Sequence, residues 1–161
     1  MLDTGTLLHF PLLCQPRQER RPAPLVIATV RGVLADAVGA VAPSCVKLLD
    51  DTLAHAGADL VLIHFKDTDD LADVPVLPGL TRPYGVTVAS PDLIDGPRTW
   101  VSDVVRARLA SRPSSPVAVI TDRAGIGAFN RYLVLTSIRR GLHAGHTAQV
   151  LRMLRLQGYS C

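Results

Sequence analysis

The sequence contains few of the residues that define disulfide-bonded or metal-binding proteins. Its three cysteines (Cys14, Cys45 and Cys161) are odd in number and irregularly spaced, which fits neither a disulfide framework nor a zinc site. Aromatic residues make up only 4% of the 161 residues. No apolar run reaches the roughly 18 residues that a membrane-spanning helix needs. These absences predict an intracellular protein of a reducing compartment, cytoplasmic or cytoskeletal, with no contact to a membrane.

The residues that are present predict one folded domain with an uneven charge. Hydrophobic residues account for 48% of the chain, enough to form a core without disulfides or metals. Residues 1–80 carry a net charge of −4 and residues 81–161 a net charge of +7. Nearly all the basic residues are arginine, which suits paired contacts with carboxylate or phosphate groups. We therefore expect partners with acidic surfaces, either proteins or RNA.

The amino-terminal segment differs from the rest in composition. Residues 1–23 mix an apolar patch with a charged, proline-punctuated stretch and predict an extended arm, whereas residues 24–161 form the domain. Asp3 and the late arginines make this arm a poor secretory or mitochondrial targeting signal.

Short apolar runs alternate with helical patterns along the domain. Strands are predicted at 24–30, 58–65, 86–90 and 117–121, and helices at 36–56, 100–111, 129–140 and 144–157, with Gly57 ending the first helix. This alternation predicts an α/β fold with a central, mostly parallel sheet of four to five strands flanked by helices. Ligand sites in such sheets lie at the carboxyl ends of the strands.

One segment, "VITDRAGIGAFNRYLVLTSIRRGL", combines a strand, a glycine-containing loop and a predicted helix. It resembles the small dual-specificity protein tyrosine phosphatases, most closely the phosphatases of regenerating liver, in which a strand ends at the cysteine of a C-x5-R loop on a helix. Upstream, "YGVTVASPDLIDG" resembles the strand and loop that carry the family's general acid. The resemblance implies a protein tyrosine phosphatase-like fold over about residues 24–157.

The residues that would carry the chemistry of this family are replaced. Asp122 stands at the position of the nucleophilic cysteine and Ala128 at that of the phosphate-binding arginine. Asp95 matches the general acid, with Asp92 as the competing alignment. The degenerate loop comprises Asp122, Arg123, Ala124, Gly125, Ile126, Gly127 and Ala128. The resemblance therefore implies a pseudophosphatase with no cofactor. The amino-terminal arm and the arginine-rich second half suit a structural subunit of a cytoskeletal or ciliary assembly, such as a microtubule doublet, or of a ribonucleoprotein.

Three alternatives stay open. Asp122 could act as a carboxylate nucleophile, as in aspartyl-phosphate enzymes, which need further acidic residues and magnesium. The segment "IATVRGVL" resembles the opening motif of haloacid dehalogenases, with Thr29 and Arg31 where that motif has its two aspartates. The second alternative is a phosphate-binding module without catalysis. The third concerns the fold, because residues 30–65 are also patterned like the strand-helix-strand unit of anti-sigma-factor antagonist domains.

Other clusters suggest sites less directly. His143 and His146 have a metal-binding spacing but no evident third ligand. An acidic loop resembles a calcium site without its glycine and closing glutamate, and is better interpreted as solvated; it contains Asp67, Asp69, Asp70 and Asp73. Four arginines of the last two predicted helices could contact an acidic surface: Arg139, Arg140, Arg152 and Arg155.

Overall fold

The computed structural model describes residues 22–65, 77–89, 97–124 and 126–158. The strands are β1 Leu25–Thr29, β2 Asp59–Phe65, β3 Tyr84–Ala89, β4 Val117–Thr121 and β5 Leu133–Leu135. The helices are α1 Pro43–Ala56, α2 Pro97–Ser111 and α3 Ala144–Leu156, with a 3-10 helix at Gly127–Tyr132. Residues 1–21 lie outside the described part, so the extended arm stays a prediction. None of the described helices is long and apolar enough to cross a membrane.

All five strands form one parallel sheet in the order β3-β2-β1-β4-β5. Every residue of the central strands β1 and β4 is buried, as expected for strands covered on both faces. The predicted α/β class and the parallel sheet of four to five strands are thereby confirmed. Strand β1 lies at the centre. Strands β2 and β3 lie on one side of it, and strands β4 and β5 lie on the other, which is the strand order of a doubly wound sheet.

Helices cover both faces of this sheet. On one face, Leu49 and Leu53 of α1 and Leu154 of α3 pack with inward-facing strand residues such as Val26 and Leu62. On the other face, α2 contributes Val101 and Val105, which pack with Ile27, Ile63 and Val119. Because helices cover both faces, the loops that follow the strands lie together at the carboxyl edge of the sheet.

The first helix begins later than the sequence pattern predicts. Its first residue is Pro43 rather than Asp36, and proline is well suited to the first turn because that turn needs no N–H donor. The predicted first turn is instead a loop in which the Asp36 carboxylate accepts hydrogen bonds from the backbone of Val38 and Ala40. The end of the helix is as predicted, since Gly57 adopts a left-handed conformation at φ 61°.

The helix predicted over residues 129–140 is wrong. The chain forms a short 3-10 helix and then enters β5, which pairs in parallel with β4 through the register Ile120↔Val134. Val134 is fully buried between the layers, and a β-branched residue there packs well in a strand. A turn from Ser137 to Gly141, whose φ is 63°, then returns the chain toward α3.

Candidate functional site

The carboxyl ends of β1 and β4 lie side by side at the point where the strand order reverses. In open α/β sheets this point opens a crevice in which ligands bind. Here it brings together the end of β1 with the residues up to Gly32, and Thr121, the last residue of β4, with the following Asp122 and Arg123. The two segments that the sequence singled out separately, "IATVRGVL" and the degenerate loop, therefore meet at one place.

A pair of threonine hydroxyls closes the base of this crevice. The Thr29 hydroxyl donates to the Thr121 hydroxyl at 3.2 Å, and both residues are fully buried. The Thr121 hydroxyl also accepts from the backbone N–H of Arg123 at 3.2 Å. A nucleophilic hydroxyl needs an adjacent general base, and these hydroxyls are occupied by each other and by the backbone. Neither threonine hydroxyl is therefore activated as a nucleophile.

Asp122 lies directly against Gly32. A Cβ atom built on Gly32 would overlap Cγ, Oδ1 and Cβ of Asp122, the last at 2.7 Å, and Gly32 has a φ of +84°. Thr136 fixes the same glycine from the other side, since its hydroxyl donates to the Gly32 carbonyl at 2.8 Å. The carboxylate predicted as a replacement for a nucleophile is thus packed against the segment that follows β1.

Arginine side chains border the crevice. The Arg123 guanidinium lies over the Phe65 ring with Cζ 4.5 Å from the ring centroid, a cation–π contact. The Arg123 Nε is buried and has no hydrogen-bond partner. Arg31 is partly buried at the end of β1. Within the described residues, neither arginine forms an ion pair with Asp122.

The rest of the degenerate loop is held by its neighbours. The Ile126 backbone N–H donates to Asn130 Oδ1 at 2.9 Å, and its carbonyl accepts from the Ser102 hydroxyl at 3.0 Å. Ala128 is exposed within the six-residue 3-10 helix. The loop therefore does not open a long α-helix whose free N–H groups would attract an anion, because that helix is not formed.

Several predicted site residues lie outside the described residues. These are the candidate general acids Asp92 and Asp95, the loop glycine Gly125, and the acidic residues Asp67, Asp69, Asp70 and Asp73. Their predicted roles stay predictions.

The residues of the crevice do not fit a divalent cation. Within the described ranges, no group of three or more histidine, cysteine, aspartate or glutamate side chains could hold a metal ion. Among the described residues at the ends of β1 and β4, Asp122 is the one carboxylate, and the neighbouring polar side chains are the hydroxyls of Thr29 and Thr121. Mg²⁺ usually needs more than one carboxylate or phosphate oxygen. Chemistry through a magnesium ion has no support in this set of side chains.

His143 and His146 form the amino-terminal cap of α3. The Nδ1 of His143 accepts from the Gly145 N–H at 3.1 Å, and the Nδ1 of His146 accepts from the His143 N–H at 3.2 Å. This reciprocal arrangement is a capping box. The histidine spacing that suggested a metal site therefore has a structural explanation.

The capping box predicts a pH-dependent stability. Burial lowers the pKa of His146, and the charge of neighbouring His143 lowers it further, against an opposing hydrogen bond to the Leu135 backbone. Since the fold favours the neutral ring, its stabilisation is complete above the unfolded value of about 6.5 and is lost as the pH falls through the lower folded value. We expect the free energy of unfolding, measured with urea, to fall between pH 7.5 and 5.

His146→Gln provides the control for this prediction. Glutamine at the third helical position can still accept the His143 N–H but does not titrate. The other titrating groups are common to both proteins, so the difference between the two pH profiles reports His146. Profiles that run parallel from pH 7.5 to 5 would contradict the assignment.

The comparisons with known proteins bear on the resemblances noted in the sequence. No protein-family model, no curated protein and no solved structure matches the chain.

Sequence reasoning found Asp122 but not its surroundings. Thr29 and Arg31 were noted only for the aspartates they replace, and the contact of Thr29 with Thr121 at the end of β4 depends on the strand order. The sequence does indicate that both segments directly follow apolar strands. It does not indicate that the first and fourth strands are adjacent in the sheet.

Proposed function

We propose that the chain is a catalytically inactive α/β protein that acts as a structural or scaffolding subunit of a larger assembly. The observation that carries this proposal is the Thr29–Thr121 hydrogen bond, which closes the base of the crevice with two buried hydroxyls. A phosphoryl-transfer site needs a nucleophile and a group that stabilises developing negative charge. The described residues at this point supply no activated nucleophile, because Thr29 and Thr121 bond to each other and no ion pair orients Asp122.

Of the two phosphatase resemblances, the geometry favours the haloacid dehalogenase-like one. The protein tyrosine phosphatase resemblance depends on a helix starting directly after the loop, and residues 127–135 form a 3-10 helix and a strand instead. The opening motif of the haloacid dehalogenases instead ends a central strand, here β1, beside Asp122, which directly follows β4. We therefore propose a degenerate relative of that fold, with Thr29 and Arg31 as the replaced catalytic positions.

The proposed setting is a cytoskeletal or ciliary assembly, such as a microtubule doublet, or a ribonucleoprotein particle. Both present acidic surfaces. Two exposed arginines of the turn after β5, Arg139 and Arg140, support such contacts because neither forms an ion pair within the described residues.

A phosphate-binding module without catalysis is the second candidate. One observation favours it, the buried Nε of Arg123 that lacks a hydrogen-bond partner. Against it stands the Asp122 carboxylate in the same crevice. Two like charges about 4 Å apart at an effective dielectric constant near 20 repel by roughly 4 kcal/mol, which lowers affinity about a thousandfold. We therefore rank it below the scaffold.

We expect no turnover of phosphotyrosine or para-nitrophenyl phosphate between pH 5 and 8, with or without Mg²⁺. The physical reason is that the described residues at the ends of β1 and β4 include no activated nucleophile. Product release is measured against buffer alone and against the Asp122→Asn variant. Turnover that disappears in Asp122→Asn would establish a carboxylate enzyme in place of the scaffold.

A further inference from the structure

A second concave surface lies between the loop 33–42 and the turn 138–141. It encloses a cavity of about 270 Å³ that opens to solvent. Buried apolar groups, among them Leu34 and Cys45, line its interior, and Arg139 and Arg140 lie at its rim. We refer to it as the loop–turn cavity.

The loop beside the cavity is stiffened by its own hydrogen bonds. Asp36 Oδ1 accepts from the N–H groups of Val38 and Ala40 at 3.0 and 2.9 Å. The Asp36 N–H donates to the Ala40 carbonyl, and the Gly39 N–H donates to the Asp36 carbonyl, both at 3.1 Å. The loop so held leaves the Val38 side chain 88% exposed. Because the backbone is already ordered, a contact through Val38 costs little conformational entropy on binding.

The charge at the rim is unbalanced. Arg139 and Arg140 are both exposed, and neither forms an ion pair with any described residue. The carboxylate among the lining residues, Asp36, uses Oδ1 to hold the loop. Two neighbouring guanidinium groups beside an apolar cavity are complementary to a ligand that combines carboxylates with an apolar group.

We propose that the loop–turn cavity docks an acidic protein segment, with one apolar side chain entering the cavity and flanking carboxylates contacting Arg139 and Arg140. The volume favours a single side chain, because small-molecule pockets are usually about 300–1,000 Å³. None of the lining residues is aromatic, so the cavity offers no platform for stacking an RNA base. This inference rests on the proposed scaffolding function and adds the chemistry of the partner.

The test titrates a fluorescein-labelled peptide, Glu-Asp-Glu-Leu-Glu-Asp-Glu, into the full chain. Binding is measured by fluorescence anisotropy and located from backbone amide chemical shifts. We expect shifts confined to residues 33–42 and 138–141. A peptide with serine in place of leucine should bind about tenfold to a hundredfold more weakly, because it loses the burial of one apolar side chain.

A matched pair of charge reversals separates local contacts from net charge. Arg139→Glu with Arg140→Glu should weaken peptide binding about tenfold, since two surface ion pairs become repulsions. Arg152→Glu with Arg155→Glu makes the same change in net charge on α3 and should have less than a twofold effect. All four residues are exposed, so both variants should retain the wild-type thermal midpoint.

Three results would overturn the docking proposal. They are no peptide binding at millimolar concentration, equal weakening by the two charge-reversal pairs, and displacement of the peptide from the same amides by an oligouridylate. None of them changes the expected absence of phosphatase turnover. Turnover in the assay above would instead overturn the proposed function, whatever the peptide does.

Discussion

Gly32→Ala is expected to destabilise the protein by about 2–5 kcal/mol, from a left-handed backbone penalty of about 1–2 kcal/mol and an overpacking cost of about 1–3 kcal/mol. Gly32 has a φ of +84°, and its Cα faces the Asp122 side chain so closely that a Cβ would overlap it. The two segments of the crevice must then separate, or Asp122 must move. The free energy of unfolding in urea measures this loss.

Gly39 provides the matched control. Its φ is +87°, almost the same as that of Gly32, but nothing lies within 4 Å of a Cβ built on it. Gly39→Ala therefore carries the backbone penalty alone, about 1–2 kcal/mol. Equal losses at the two glycines would mean that Asp122 does not lie against Gly32.

A double-mutant cycle identifies the side chain responsible. Asp122→Gly removes all three overlapping atoms, so Gly32→Ala should cost about 1–3 kcal/mol less in that background than in the wild type. The cycle subtracts the flexibility that a second glycine adds by itself. Additive losses would contradict the contact between the ends of β1 and β4.

The strands were predictable because each is a short apolar run whose pattern is local. The strand predicted at 117–121 is β4 itself, and β1 lies within the predicted 24–30. Gly57 was equally clear, since a left-handed residue at a helix end favours glycine. In these places the local preference and the tertiary structure agree.

The errors fall where two local patterns compete. Val38 and Val41 have helical spacing with α1, yet Asp36 and Gly39 fold the same residues into a hydrogen-bonded loop that leaves Val38 in water. The segment "LVL" suits a helix or a strand, and the free edge of β4 decides in favour of a strand. Neither outcome can be read from spacing alone.

The candidate site was predictable as a loop but not as a crevice. Asp122 follows an apolar strand, which is where ligand sites occur in parallel sheets. Its neighbours Thr29, Arg31 and Gly32 precede it by about ninety residues, and only the strand order brings them to the same place. The apolar pattern of the strands does not show which strands are adjacent, so the hydrogen bond between Thr29 and Thr121 could not be predicted from it.

Replacing both Thr29 and Arg31 with aspartate is expected to destabilise the metal-free protein and to create a Mg²⁺ site. Thr29 is fully buried, so its replacement places a charge beside Thr121 and near Asp122 without a partner. An uncompensated buried charge costs about 3–5 kcal/mol, or roughly 6–20 °C in thermal midpoint for a protein of this size. Three carboxylates at the ends of β1 and β4 then offer the oxygen ligands that Mg²⁺ prefers.

Magnesium should restore much of this loss in the double variant and leave the wild type unchanged. A cation that binds only the folded state stabilises it by about 2.7 kcal/mol at a hundredfold excess over its Kd. Thr29→Asn with Arg31→Asn is the matched control, because asparagine has nearly the shape of aspartate without its charge. Thermal midpoints with and without Mg²⁺ on the three proteins decide the matter. Two results would show that positions 29, 31 and 122 do not converge: an equal magnesium response in the asparagine variant, or no response in the aspartate variant. The proposed relation to the haloacid dehalogenase fold would then lose its geometric basis.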